Sequence, residues 1–344
     1  MNRITVVCVL VFIFALGGFY RITSKMKPGD LFSLLHKTIS VSDSSASTPS
    51  LQSNRIDFTA QPPVMFVETT ETLKPQTLTI CAVESAARIY QDRYIYFFLR
   101  GLKNQTCLQS KTECPGLKLL TDFPNVQLLH LDPKVILGGT PLAIWYNEDK
   151  VYKEEYWIRI TSDGYRLALM WKNGGLYFDT DVITIKKVPK ENFTVSESDS
   201  YVCNAVLGFH HHHPYIMDCM TDFVMNYNGG IWGQQGPRLL TRVLKKTCTL
   251  PNFNKVQDFP CEARNVTIMH PSRFYPISWS QWKKYFEVWK EIPTFNDSYG
   301  LHLWNFMNRN EKKIVISESN TLVENLFKKY CPSTYGILIN NAKS

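Results

Sequence analysis

The chain lacks any Lys/Arg block interleaved with aromatic residues, so its formal net charge of +8 is spread along the chain and not gathered in a patch. That spread argues against a nucleic-acid track. A mild basic bias suits an anionic nucleotide or a membrane-proximal position. No cysteine pair shows CxxC spacing, which excludes a thiolate metal site of the finger or ribbon kind. No internal repeat is present. Long charge-free apolar runs are absent except for one, Ile4 to Tyr20, close to the minimum length for a membrane span.

That single run carries the targeting information. Arg3 precedes it, and Arg21, Lys25 and Lys27 follow. It is either a cleaved signal peptide, with Ala15-Leu16-Gly17 as the small-residue site, or an uncleaved signal anchor; the flanking charges do not favour a cytoplasmic N-terminus. Both send the remainder into the secretory pathway. Eight of the nine cysteines lie beyond the run, an even number that suits disulfides, with Cys107–Cys114 and Cys248–Cys261 the simplest local pairs. Sequons at Asn104, Asn192, Asn265 and Asn296 agree with export. Residues 28–62 are rich in Ser and Thr and too poor in large apolar side chains to fold, and they read as a stem. With the anchor retained, the expected organisation is a cytoplasmic tail 1–3, a transmembrane anchor 4–20, a flexible stem 21–62 and a lumenal domain 63–344, as a single-pass type II membrane protein of the secretory pathway.

Beyond the stem, 44% hydrophobic and 13% aromatic content supports a packed core. Strands are expected at Val64–Val67, Tyr94–Leu99, Val126–Leu131 and Leu176–Ile185. Helices are expected at Ile80–Tyr90, Ser162–Lys172 (Ser162 as N-cap, Gly174 past the end), Ile216–Tyr227, Pro237–Lys246, Gln281–Lys290 and Leu322–Tyr330. Trp282, Tyr285, Phe286 and Trp289 have helical spacing and read as core. Strands first alternate with helices and helices then dominate, giving an α/β domain whose sheet is covered on both faces.

Asp179-Thr180-Asp181 carries the chemistry. Read as part of a strand, it points both carboxylates to one face. Two convergent carboxylates suit a hard divalent cation with room left for phosphate oxygens. Upstream, Asp163 and Arg166 share a helix face, and the Gly174-Gly175 turn folds that helix back against the aspartates. They either flank the metal-held ligand or form a surface ion pair at a helix N-terminus.

The block Asp163-Gly164-Tyr165-Arg166 through Gly174-Gly175-Leu176-Tyr177-Phe178-Asp179-Thr180-Asp181 resembles the core of DXD-containing glycosyltransferases of GT-A fold, a Rossmann-like nucleotide-diphospho-sugar domain. More narrowly, the chain resembles the α1,4-galactosyltransferase and α1,4-N-acetylglucosaminyltransferase family. Supporting segments are Phe66-Val67-Glu68-Thr69, Cys81 to Arg88, Tyr227 to Pro237 around Gly233-Gln234-Gln235-Gly236-Pro237, Phe274-Tyr275-Pro276-Ile277 and His302-Leu303-Trp304-Asn305; together they span nearly all of 63–332. The resemblance implies a UDP-sugar donor and Mn2+ or Mg2+ held by Asp179 and Asp181, with His302 a further ligand. It places Asp163, Arg166 and Gln235 around the transferred sugar and diphosphate, Trp304 and His302 over the diphosphate, and Glu68, Thr69 and Arg88 near the nucleotide. It implies retention, moving galactose or N-acetylgalactosamine to a terminal β-galactoside or β-N-acetylhexosaminide of a glycosphingolipid such as lactosylceramide. The alternatives are transfer of N-acetylglucosamine to glycoprotein glycans and a non-catalytic carbohydrate-binding protein. No residue declares itself a nucleophile, which favours same-face attack.

Other features carry less. His210 to His213 reads as a solvated loop beside Pro214. Trp145-Tyr146 reads as core. Asn204 is placed facing the donor sugar, while Glu84 and Glu68 also fit ordinary cap or turn roles. A two-acid glycosidase is disfavoured because Asp179 and Asp181 point the same way and do not flank a bond. Oligomeric state is left open.

Overall fold

The computed structural model describes residues 58–343, apart from 105, 110–112 and 200. The expected tail, anchor and the stem up to residue 57 lie outside the described residues. Among the described residues no helix is long and apolar enough to cross a membrane.

An eight-stranded sheet organises the domain, in the order β3-β2-β1-β4-β7-β6-β9-β8. Its strands are β1 Val64–Glu68, β2 Ile95–Leu99, β3 Val126–His130, β4 Gly175–Phe178, β6 Phe193–Ser198, β7 Tyr201–Phe209, β8 Phe259–Cys261 and β9 Val266–Met269. β5 Val182–Thr184 and β10 Gly300–His302 form a separate antiparallel pair. β1 to β4 run parallel, whereas β7 is antiparallel to both β4 and β6, so the sheet is mixed. The longer helices are α1 Thr77–Ile89, α2 Trp157–Asn173, α3 Pro214–Met225, α4 Pro237–Leu244, α5 Leu322–Tyr330 and α6 Pro332–Lys343.

Alternation along the strands creates two cores. Val64, Phe66 and Phe178 belong to one cluster, which takes in α1 and α5; Met65, Val67 and Tyr177 belong to the other, which takes in α2, α3 and α4. The sheet is therefore covered on both faces, as expected. The turn that returns α2 to the sheet uses Gly174 (φ +63°) and Gly175 (φ +90°), and a Cβ on Gly175 would lie 2.1 Å from the Pro63 carbonyl oxygen. Only glycine accommodates both demands.

Several expectations are corrected. Helix α2 starts at Trp157, so Ser162 is interior and not the N-cap; its hydroxyl accepts from Arg166 Nη2 at 3.0 Å. The segment Leu176–Ile185 is not one strand, because it leaves the large sheet after Phe178 and re-forms as β5. Gln281–Lys290 is replaced by a 3-10 helix at Trp279–Phe286, so Trp289 is not on it; Trp282 and Tyr285 are nonetheless core. Trp145 is also core, packed against Trp157 and Phe223.

Cys248–Cys261 is bonded as expected, but the second disulfide is Cys81–Cys331 and not Cys107–Cys114, whose thiols are buried and free. The separation of 250 residues hid that pair from the sequence. The buried Glu84 reinforces it, accepting from the Ser333 and Thr334 amides at 3.0 and 2.7 Å and so capping α6. Three of the four histidines at 210–213 are exposed, whereas His213 is buried and caps α3 through Nδ1, which accepts from the Tyr215 amide. Burial, with His210 adding, pushes His213 down to about 4.

Candidate active site

A cavity of about 1130 Å³ opens where β1 and β4 end and antiparallel β7 begins. Crevices at the carboxyl ends of parallel strands are the usual ligand sites of such sheets. Asp163, Arg166, Asp179, Asp181, Gln235 and His302 all line it.

Arg166 is the buried hub on the α2 side. Its Nη1 donates to the Asn204 carbonyl oxygen at 2.8 Å and lies 3.0 Å from Asp179 Oδ1, while Nη2 is 3.4 Å from Asp163 Oδ1. The guanidinium also lies over the Tyr177 ring. The planar fork thus joins α2, β4 and β7, which a lysine could not do. Asp163 Oδ1 accepts from Asn204 Nδ2 at 2.7 Å, and the residue lines the cavity. Gly236 packs against this pair so closely that a Cβ there would meet Asn204 Nδ2 and Asp163 Oδ2 at 2.8 Å.

Asp179 and Asp181 converge through a turn and not through strand alternation. The Val182 amide donates to the Asp179 carbonyl at 3.1 Å, and the chain then enters β5. Pairing of β5 with β10 sets His302 opposite Val182 and brings its Nε2 to 3.0 Å from Asp181 Oδ1. Asp181 Oδ2 accepts from the Asn305 amide at 2.8 Å, and Asp179 Oδ1 from the Tyr177 hydroxyl at 2.8 Å. Burial pushes both carboxyls up; at Asp181 the adjoining His302 and the Asn305 amide outweigh it, leaving that carboxyl below its ordinary value. At Asp179 burial and the Asp181 charge outweigh Arg166, so its carboxyl lies above the ordinary range.

The remaining expected residues divide into those that line the cavity and one that does not. Trp304 lines it with its indole N–H donating to the Ile277 carbonyl at 2.8 Å and its ring 4.2 Å from that of His302. Its φ of +55°, unusual for a bulky residue, is what turns the ring into this place. Gln235 also lines the cavity, but Nε2 donates to the Phe223 carbonyl and Oε1 accepts from the Asn228 amide, so its amide holds the loop. Glu68 and Thr69 lie at the β1 end; Glu68 Oε1 accepts from the Thr70 amide and Thr69 Oγ1 donates to the Ile158 carbonyl. Arg88 is the exception. It is not in the cavity wall: Nε pairs with Glu84 at 2.7 Å and Nη2 donates to Ser333, so it serves the α1–α6 junction, and the expectation placing it near the nucleotide is corrected.

Sequence reasoning missed Ser162 as a partner of Arg166, Tyr177 and the Asn305 amide as partners of Asp179 and Asp181, and Glu197 as part of the wall. Their places depend on strand pairing and carry no local signal.

Residues 77–200 match the family model of the glycosyltransferase sugar-binding region containing DXD motif, and residues 208–338 match the alpha 1,4-glycosyltransferase conserved region. The alpha-1,4-N-acetylglucosaminyltransferase of Homo sapiens is 48% identical over 276 residues, covering 80% of each chain. The chain belongs to the alpha-1,4-glycosyltransferase family. Another member, the lactosylceramide 4-alpha-galactosyltransferase of Mus musculus, is 40% identical over 79% of this chain and 75% of the relative. Among solved structures, PaToxG glycosyltransferase overlaps 63% of this chain and 76% of its own, with a TM-score of 0.41 and 14% identity. As a DXD-containing glycosyltransferase, the protein takes a nucleotide-sugar donor, a divalent metal and a glycan or glycolipid acceptor.

The residues present fit a metal. One ligand atom from each of Asp179, Asp181 and His302 lies within 4.8 Å of the others, and His302 Nδ1 is buried without a hydrogen-bond partner. Two carboxylates and an imidazole are a donor set for a divalent transition ion.

Asp163 in this glycosyltransferase has a testable electrostatic cost. Burial, opposed by Arg166 and Asn204, pushes its carboxyl up to about 6 from 3.8. The folded chain holds this proton more tightly than the unfolded one, so the stability it contributes is full below about pH 4 and is lost as pH rises to about 6. Asp163→Asn is expected to melt higher than the parent at pH 7.5, by at most ~3 kcal/mol of stability, with the gap closing as pH falls through that window. Transfer is expected to drop more than about 100-fold. Thermal melts from pH 4 to 8 check this; a less stable variant at pH 7.5 contradicts it.

Proposed function

We propose that this protein is a retaining α1,4-glycosyltransferase of GT-A fold that moves a hexose or N-acetylhexosamine from a UDP-sugar to a terminal β-galactoside. The observation that carries the reading is the Asp163–Arg166–Asp179 network beside the Asp179, Asp181 and His302 cluster in one cavity.

Asp179, Asp181 and His302 would hold a divalent ion such as Mn2+, which would supply positive charge to the diphosphate leaving group when bound. Arg166 adds fixed positive charge and keeps Asp163 and Asp179 oriented. Asp163 Oδ2 accepts a donor-sugar hydroxyl. Trp304 and His302 shield the diphosphate from water. The acceptor hydroxyl attacks from the face that UDP leaves: the new bond joins C1 to the acceptor oxygen, the C1–phosphate oxygen bond breaks, and the acceptor proton passes to the departing phosphate oxygen.

For the donor, N-acetylglucosamine is the first choice, supported by 48% identity to the N-acetylglucosaminyltransferase. Galactose, with a lactosylceramide-type glycolipid as acceptor, is the second reading, supported by several lactosylceramide galactosyltransferases at 38–42% identity. The exported segment and stem support a Golgi-membrane setting for either. A panel of UDP-N-acetylglucosamine, UDP-galactose and UDP-N-acetylgalactosamine against a soluble β-galactoside and lactosylceramide, with Mn2+ or chelator, tests the proposal. The expected product is an α1,4-linked hexose or N-acetylhexosamine formed only with metal. A β-linked product, or full turnover in chelator, overturns it.

A further inference from the structure

Glu197 is an acid of the cavity wall that the roles above leave unused. It sits near the end of β6, half-buried, in the irregular stretch of pairing between Ser196 and Ser198. Among the described residues no cation lies within salt-bridge distance of its carboxylate. Its carboxylate interacts with the buried Cys203 thiol, on the adjacent strand, and lies within electrostatic range of His302. A carboxylate in a cavity wall without a cation partner has oxygen lone pairs free for a ligand.

The order of strands says which ligand. β1 ends at Glu68 and Thr69, the nucleotide end of the cavity under the proposed function. β4 ends at the Asp179–Asp181 turn, and β7 brings Asn204 to Asp163 at the donor sugar. β6 follows β7 in the sheet, so Glu197 lies one strand beyond the donor sugar on the side away from β1. The next sugar along that line is the acceptor. Sugar hydroxyls are hydrogen-bond donors, and a carboxylate accepting two neighbouring hydroxyls would fix the rotation of the ring as well as its place.

We propose that Glu197 is the acceptor-orienting residue, binding hydroxyls of the terminal sugar of a neutral β-linked glycan through its carboxylate. This rests on the glycosyltransferase reading of the cavity, and the readouts are chosen to separate the two. Removing the carboxylate weakens acceptor binding and the alignment of its attacking hydroxyl, while the donor grip, built from Asp163, Arg166 and the Asp179 turn, is untouched.

The experiment compares the parent, Glu197→Gln and Glu197→Ala, all confirmed as folded by thermal melting. Acceptor KM and kcat are measured with a soluble aryl β-galactoside and the preferred UDP-sugar, and donor hydrolysis is measured without acceptor. Glu197→Ala is expected to raise acceptor KM at least tenfold, with Glu197→Gln intermediate, while donor KM and hydrolysis stay within twofold of the parent. Lost hydrolysis with unchanged acceptor KM assigns Glu197 to the donor or metal and overturns the proposal. Unchanged kinetics in both variants overturns it as well, as does a sugar adduct on Glu197 found by mass spectrometry, which would make it a nucleophile. A parent with neither transfer nor hydrolysis sinks the glycosyltransferase mechanism itself.

Discussion

Asp181→Ala is expected to lower transfer at least 1000-fold and to weaken Mn2+ binding, read directly by calorimetry or by the paramagnetic signal of free Mn2+. Asp181 is the meeting point of three constraints: His302 Nε2 on one oxygen, the Asn305 amide on the other, and the turn that holds it beside Asp179. The substitution removes a charged ligand from the cluster and one of the hydrogen bonds that hold the loop carrying Trp304. Asp181→Asn separates these effects, because an amide oxygen still accepts from the Asn305 N–H while the charge is gone. It is expected to keep the parent's melting temperature to within about 3 °C and still lose activity. Turnover surviving Asp181→Ala at saturating Mn2+ would remove Asp181 from the metal role.

Arg166→Ala is expected to be the most destabilising single change at the site, costing about 3–5 kcal/mol. The guanidinium is buried between Asp163 and Asp179, and its loss leaves two half-buried carboxylates without their shared cation. Burial already pushes both carboxyls up, so removal raises them further and part of the charge is neutralised by protonation. The loss in stability is therefore expected to be smaller at pH 5 than at pH 8. Added Mn2+ is expected to recover part of the melting temperature in Arg166→Ala, because a bound cation neutralises Asp179 from the other side. Arg166→Lys keeps a charge but not the fork that spans Asp163, Asp179 and the Asn204 carbonyl. It is expected to recover most of the stability and less than a tenth of the activity. Denaturant unfolding at the two pH values, beside kcat, checks both variants; an Arg166→Ala protein as stable as the parent at pH 8 would show that the network carries little energy.

Legibility followed range. Helix α1, strands β1 to β3 and α5 were readable because each is set by a local apolar pattern. The acid pair was readable as a cation site from its spacing, although the reason first given, strand alternation, is not the one that operates. The Gly233 to Pro237 loop was visible as a segment, but the commitment of Gln235 to backbone groups was not. Arg88 was placed with the nucleotide and belongs to a helix junction whose other half lies at Glu84 and Ser333, far along the chain.

The amino-acid sequence by itself determined the α/β class, the two-faced core and the residue types of the site, because hydrophobic period and the Asp-Thr-Asp and Asp…Arg spacings are local properties. Only the tertiary structure decided which groups meet. His302 reaches Asp181 because β10 pairs with β5, Arg166 joins Asp163 to Asp179 because α2 packs back over β4, Cys81 finds Cys331, and Glu197 enters the wall because β6 follows β7. Each of those contacts spans separations at which sequence spacing carries no geometry, and chain packing alone supplies it.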